Sequence, residues 1–61
     1  MNWTYLSPYG IPDPPIPVDV PLTIIRKSGV EEEAIWKGGL WWGPVGYLTT
    51  TDNPVVFWRV A

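Results

Sequence analysis

The pattern of apolar and polar positions is ambiguous along residues 30–37. On a strand, Val30, Glu32, Ala34 and Trp36 fall on one face and Glu31, Glu33, Ile35 and Lys37 on the other. Three glutamates and an alanine favour helix locally. The stretch is short, however, and lies between two glycine-containing turns, too few residues for a helix that holds in water. A strand fits both flanks. Neither face is cleanly apolar near Glu31, Glu32 and Glu33, so that end is expected to project from the sheet.

The neighbouring patterns agree. Val20-Pro21-Leu22-Thr23-Ile24-Ile25-Arg26-Lys27 is a strand rich in β-branched residues, with the proline at its start where a missing donor costs least. Ser28-Gly29 is a candidate two-residue hairpin turn. Gly38-Gly39 supplies positive φ at both central positions of a type I′ turn. Leu40-Trp41-Trp42 starts the returning strand, Gly43-Pro44 breaks it, and residues 45–50 are expected to resume it after a bulge or loop. Thr51-Asp52-Asn53-Pro54 reads as a polar turn. In the last strand, residues 55–60, strict alternation puts Val55, Phe57 and Arg59 on one face and Val56, Trp58 and Val60 on the other. Both faces are largely apolar, which predicts a central strand covered on both sides, or one whose outer face meets another chain.

Residues 1–19 are punctuated by Pro8, Pro12, Pro14, Pro15 and Pro17. Proline fixes φ and donates no hydrogen bond, so neither helix nor central strand fits. An extended, partly polyproline II strap is expected, with turns at Tyr9-Gly10 and Asp13-Pro14. Trp3, Tyr5, Leu6, Tyr9 and Ile11 would cover an open sheet face. Pro12 and Pro15 meet the bare PxxP spacing, but no flanking arginine orients it as a groove ligand. The expected fold is one all-β domain over residues 1–61. It consists of a Pro-rich arm, 1–19, and a small antiparallel sheet of three to four strands, 20–61.

Size and composition sharpen this. A 61-residue domain buries only about 60% of its unfolded surface and is marginal alone. The chain has no Cys and no His, so disulfides, thiolate metal sites and imidazole chemistry are absent. The remaining staples are aromatic bulk, from five Trp, three Tyr and one Phe, and self-association. A hydrophobic content of 46% is hard to hide in so short a chain. Some of it should stay exposed and mark a contact site, which points to a homodimer or a protein partner. With net charge −2 and only Arg26, Lys27, Lys37 and Arg59 as cations, neither nucleic acid nor a membrane surface is an expected partner. No basic-then-apolar leader opens the sequence, and no apolar run reaches the ~20 residues that span a bilayer. A cytoplasmic setting is expected.

The candidate chemistry is sparse. On a strand, only Glu31 and Glu33 of the acidic triplet lie together. Two carboxylates alone make a poor cation site, so a solvated hairpin end or an acidic flank for a basic partner surface fits better. Serines and threonines have no base to activate them, and no glycine cluster opens a helix as a phosphate loop does. No catalytic residue, metal or cofactor is expected, and the protein is read as a non-enzyme. Trp36, Trp41, Trp42, Tyr47, Phe57 and Trp58 read first as core. Trp41 and Trp42 are adjacent, so at least one should lie on the outer face as a binding anchor. The candidate protein-binding residues are Trp41, Trp42, Trp58 and Arg59, with Glu31, Glu32 and Glu33 as a charged flank.

Taken in order, several segments resemble a family of small proteins common in bacteriophages and enterobacterial prophages. They are Trp3, Pro17, the run Leu22-Thr23-Ile24-Ile25, the stretch Glu33-Ala34-Ile35-Trp36-Lys37-Gly38-Gly39-Leu40-Trp41, and Val55-Val56-Phe57-Trp58. The family shows an N-terminal Trp, a Pro, an apolar strand, a short acidic strand, an aromatic-Gly turn with Trp, and a closing strand with Trp after β-branched residues. The likeness covers most of the chain, and the family's usual His-Trp of the last strand reads Phe57-Trp58 here. The resemblance implies a phage-type accessory protein, and the family brings no established activity with it. The leading expectation is an all-β binding protein, dimeric, that inhibits or modulates a host protein such as a defence component. The alternatives are a structural or adaptor subunit, and an aromatic-face binder of a small molecule such as a nucleotide signal.

Overall fold

The computed structural model describes residues 3–6 and 15–61. Six strands lie in one antiparallel sheet among these residues, with no helix: β1 (Thr4–Tyr5), β2 (Pro21–Arg26), β3 (Glu31–Lys37), β4 (Leu40–Gly43), β5 (Gly46–Tyr47) and β6 (Val55–Val60). Their order across the sheet is β1-β6-β2-β3-β4-β5. The all-β, single-sheet expectation holds; the count of three to four strands does not. The two extra strands are each two residues long, and neither carries a periodic pattern that could be read from sequence.

The hairpins follow from their turns. Gly38 and Gly39 have φ of 61° and 77°, as a type I′ turn requires, and Lys37 pairs with Leu40 across them. The β2–β3 turn differs from the expected two-residue loop. The Gly29 N–H donates to Arg26 O at 2.8 Å, the Arg26 N–H donates to Val30 O, and Gly29 has φ of 93°. This is a longer loop in which glycine takes the left-handed position after a tight turn. Gly43 and Gly46 pair across Pro44-Val45, so the chain after the break turns back as β5 instead of resuming β4.

The sheet has one packed face. Leu22 and Ile24 of β2 are fully enclosed, and Ala34, Trp41, Val55 and Trp58 join them with Ile16 from the connection before β2. Burying a side chain such as Leu22 contributes roughly 1.5–3 kcal/mol. Cross-strand register explains the set: Leu22 stands opposite Ala34, Ile24 opposite Trp58, and Trp36 opposite Trp41 with ring centroids 4.8 Å apart. Strict alternation along β6 fails at one point. The register shifts between Ile25 and Arg26, so that Ile25 pairs with Phe57 but Arg26 with Val55, leaving Val56 as the extra residue of a bulge. Val55 therefore joins Trp58 on the packed face instead of Phe57 on the other. β6 lies between β1 and β2, but it is not covered on both sides, since Phe57 stands exposed on its outer face.

The N-terminal stretch is not only a strap. Thr4–Tyr5 extends the sheet, pairing Thr4 with Trp58 and Tyr5 with Phe57. Tyr9, Ile11, the Tyr9-Gly10 and Asp13-Pro14 turns and most of the PxxP segment lie outside the described residues. Before β2 the chain reverses at Asp19, whose φ of 61° lets its N–H reach Trp36 O.

The sheet is curled. Leu6, just past β1, and Trp41, on β4, line one cleft of about 410 Å³. In a flat sheet these strands would stand four spacings, about 19 Å, apart. The packed face is thus concave and the opposite face convex. Between β5 and β6, residues 48–54 cross the concave side. Leu48 packs on the core, and Arg26 fastens the rest of the crossing by donating to Thr49 O at 2.8 Å and Asn53 O at 3.3 Å.

Candidate functional site

The convex face is where the chain leaves apolar groups uncovered. Strand alternation places Tyr5, Ile25, Ile35, Trp42, Tyr47, Phe57 and Arg59 there, and Trp3 by its stacking with Arg59. They form two clusters. At the β1–β6 end, the Tyr5 and Phe57 rings meet edge to face at 5.7 Å, and the Arg59 guanidinium lies 4.9 Å from the centroid of the Trp3 ring. A cation over an aromatic face is held by the ring quadrupole. Arg59 Nε is buried there without a partner. At the β3–β5 end, Trp42 and Tyr47 meet edge to face at 6.2 Å beside Ile35. The Trp42 Nε1–H donates to Lys37 O at 3.1 Å, which pins the indole along the face. Ile25 and Thr23 of β2 lie between the clusters.

The sequence-predicted contact residues divide along the same line. Trp42 is 38% exposed on the convex face, whereas Trp41 is 5% exposed in the core. Adjacent strand residues do face opposite ways, and the two-residue turn decides which goes in: 37 opposite 40 sets 36 opposite 41, and Trp36 points to the Ala34 side. Trp58 is 7% exposed, held in the core opposite Ile24, so it offers no surface in the folded chain. Glu31 and Glu33 lie together on the convex face. Glu32 points the other way and binds Arg26, its Oε1 accepting from Nη2 at 3.1 Å. Arg59 is on the convex face. Sequence reasoning placed Tyr5, Ile35, Tyr47 and Phe57 in the strap, on a strand face or in the core without assigning them a contact role. Alternation combined with the turn registers would have placed Ile35 beside Trp42.

The concave side has its own opening, a cleft lined by Leu6, Trp41, Thr50, Pro54 and Val55, reached at its β1 edge by Tyr5 and with Lys27 as its single cation. Among the described residues no three His, Cys, Asp or Glu side chains gather as metal ligands. No helix among them is long and apolar enough to cross a membrane. No protein-family model, curated protein or solved structure matches the chain.

Proposed function

We propose that the chain is a small non-enzymatic accessory protein of the phage type, working as a homodimer in the host cytoplasm and acting by occupying a surface on a host protein, such as a defence component. The observation that supports this reading is the convex face. Six large apolar side chains stand exposed on it, Tyr5, Ile35, Leu40, Trp42, Tyr47 and Phe57, although the chain has a concave side to bury them in. Exposed aromatic groups with an arginine are the residue types in which binding energy concentrates. The host contact is the β1–β6 cluster, Tyr5, Phe57 and Arg59 under Trp3, with Glu31 beside it through Ile25. Its acidic edge fits a partner whose apolar patch is bordered by Lys or Arg.

Pull-down from host lysate tests the reading when run with surface variants. Phe57→Ala and Glu31→Lys, both folded by circular dichroism, should each weaken capture of the same host protein about tenfold or more. Equal capture by both variants removes this face from consideration. A second reading, a small-molecule binder, is supported by the concave cleft and its lone Lys27, which suit an apolar ligand with one anionic group.

A further inference from the structure

The β3–β5 cluster has a symmetry of its own. Pro21, Ile35, Trp42 and Tyr47 stand opposite one another on β2, β3, β4 and β5, in a single row across the strands. The next convex-face row on one side holds Glu33, Thr23 and, beyond it on β6, Arg59; the next on the other side holds Lys37 and Leu40. Along β3 the outward residues read Glu31, Glu33, Ile35, Lys37, with Ile35 midway between Glu33 and Lys37. Glu33 and Lys37 are both exposed. They lie about 13 Å apart along the strand, too far to pair with each other. The only ion pair among the described residues is Arg26 with Glu32.

A half-turn about the apolar row lays that row on its own image. It runs β3 antiparallel to β3 of the second molecule and sets Glu33 of each above Lys37 of the other. Glu33 and Lys37 are each answered, giving two ion pairs per pair of molecules, while Glu31 falls over Gly39 at the rim. We infer that the convex surface centred on Ile35 and Trp42 is an isologous interface for a second copy of this chain, in the register Glu33-to-Lys37. The inference deepens the proposed function and rests on its reading of the convex face as a contact surface.

Two features of the surface suit this occupant. A hollow of about 180 Å³ beside the row, lined by Pro21, Ile35, Trp42 and Pro44 with Glu33 at its edge, gives a side chain of the second copy a place to enter. Trp42 is already fixed by its hydrogen bond to Lys37 O, so ordering it on association costs little. Convexity sets the size of the contact. An interface of standard size removes about 800 Å² per partner, nearly a fifth of this chain's 4301 Å². A convex seam along β3 and β4 covers less, so the dimer dissociates on the order of micromolar concentration. The same curvature leaves Tyr5, Phe57 and Arg59 clear for the host protein.

Sedimentation velocity over a concentration series tests the inference. The wild type should pass from monomer to dimer across the micromolar range. Glu33→Lys and Lys37→Glu, each placing like charges opposite one another at two contacts, should each raise the dissociation constant at least about tenfold at low salt. The double variant, Glu33→Lys with Lys37→Glu, should restore it. Ile35→Asp should leave only monomer, and Phe57→Ala should leave the dimer unchanged. These positions are exposed, and circular dichroism of each variant shows that it has folded. A wild type that stays monomeric at millimolar concentration overturns the inference. So does a dimer indifferent to both reversals, a double variant as weak as the singles, or open-ended assembly. Host-protein capture reads the proposed function separately: capture by a monomeric protein sinks the dimer alone, and a dimer that captures nothing sinks the host reading alone.

Discussion

Replacing Arg26 by Met tests how the crossing between β5 and β6 is held. The arginine side chain is 11% exposed and makes three hydrogen bonds, to Thr49 O, Asn53 O and Glu32 Oε1. Methionine keeps an unbranched apolar stem and removes all three. A hydrogen bond from a charged donor contributes about 1.5–3 kcal/mol where its loss strands a buried partner. Here the Thr49 bond is exposed and Glu32 is about one-third exposed, so both acceptors regain water. Removing a cation whose Nε is buried without a partner also relieves a desolvation cost. The net loss should be about 2 kcal/mol. The total stability of a domain this size is roughly 3–9 kcal/mol, so that is a substantial share. Glu32→Gln should cost about 0.5 kcal/mol, because a part-exposed ion pair is weak. Urea unfolding followed by tryptophan fluorescence measures both. Hydrogen exchange should also quicken at the Lys27 N–H, which donates to Pro54 O at the end of the crossing. If Arg26→Met lies within about 0.5 kcal/mol of wild type, or Glu32→Gln costs as much, the carbonyl contacts are not what holds the crossing.

Three further outcomes are expected. Trp41→Ala should cost about 3–5 kcal/mol, about a third or more of the total stability, whereas Trp42→Ala should cost under about 1.5 kcal/mol in the same urea titration. Gly39→Val should lower the unfolding midpoint sharply because of its φ of 77°; Gly38→Asn, which makes the favoured Asn-Gly turn, should leave the midpoint unchanged or raise it. Asp19→Gly should stabilise by up to about 1 kcal/mol, since it relieves a non-glycine residue at φ 61°; a clear loss would mean that the aspartate side chain supports the reversal.

The parts legible in sequence were those set by local rules. Alternation and β-branching located β2, β3 and β6, and the Gly38-Gly39 pair fixed one turn and, with it, which of the two adjacent tryptophans goes inside. The missed parts depend on pairing at a distance. Thr4–Tyr5 becomes a strand only because β6 offers an open edge, and nothing in two residues announces that. The bulge at Val56 arises where β6 meets Arg26, so alternation along β6 alone put Val55 on the wrong face. In sequence Trp58 reads first as core and also as a candidate contact residue. It is core because its cross-strand neighbour is Ile24. Of the convex face, Trp42, Arg59, Glu31 and Glu33 were legible as single residues. Their grouping into two clusters required the strand order.

The position of β6 also governs when this protein can fold. It is synthesised after the five other strands, yet it lies between the first two of them. A nascent chain that has reached Asn53 can form its three consecutive hairpins, but it lacks Val55 and Trp58 and leaves the edge of β2 bare. Joining β1 to β6 then closes a loop of nearly the whole length, the kind of non-local contact that slows folding. Native structure must therefore wait until β6 has cleared the ribosome, and any truncation that removes this strand yields a sticky hairpin array instead of a smaller version of the same protein.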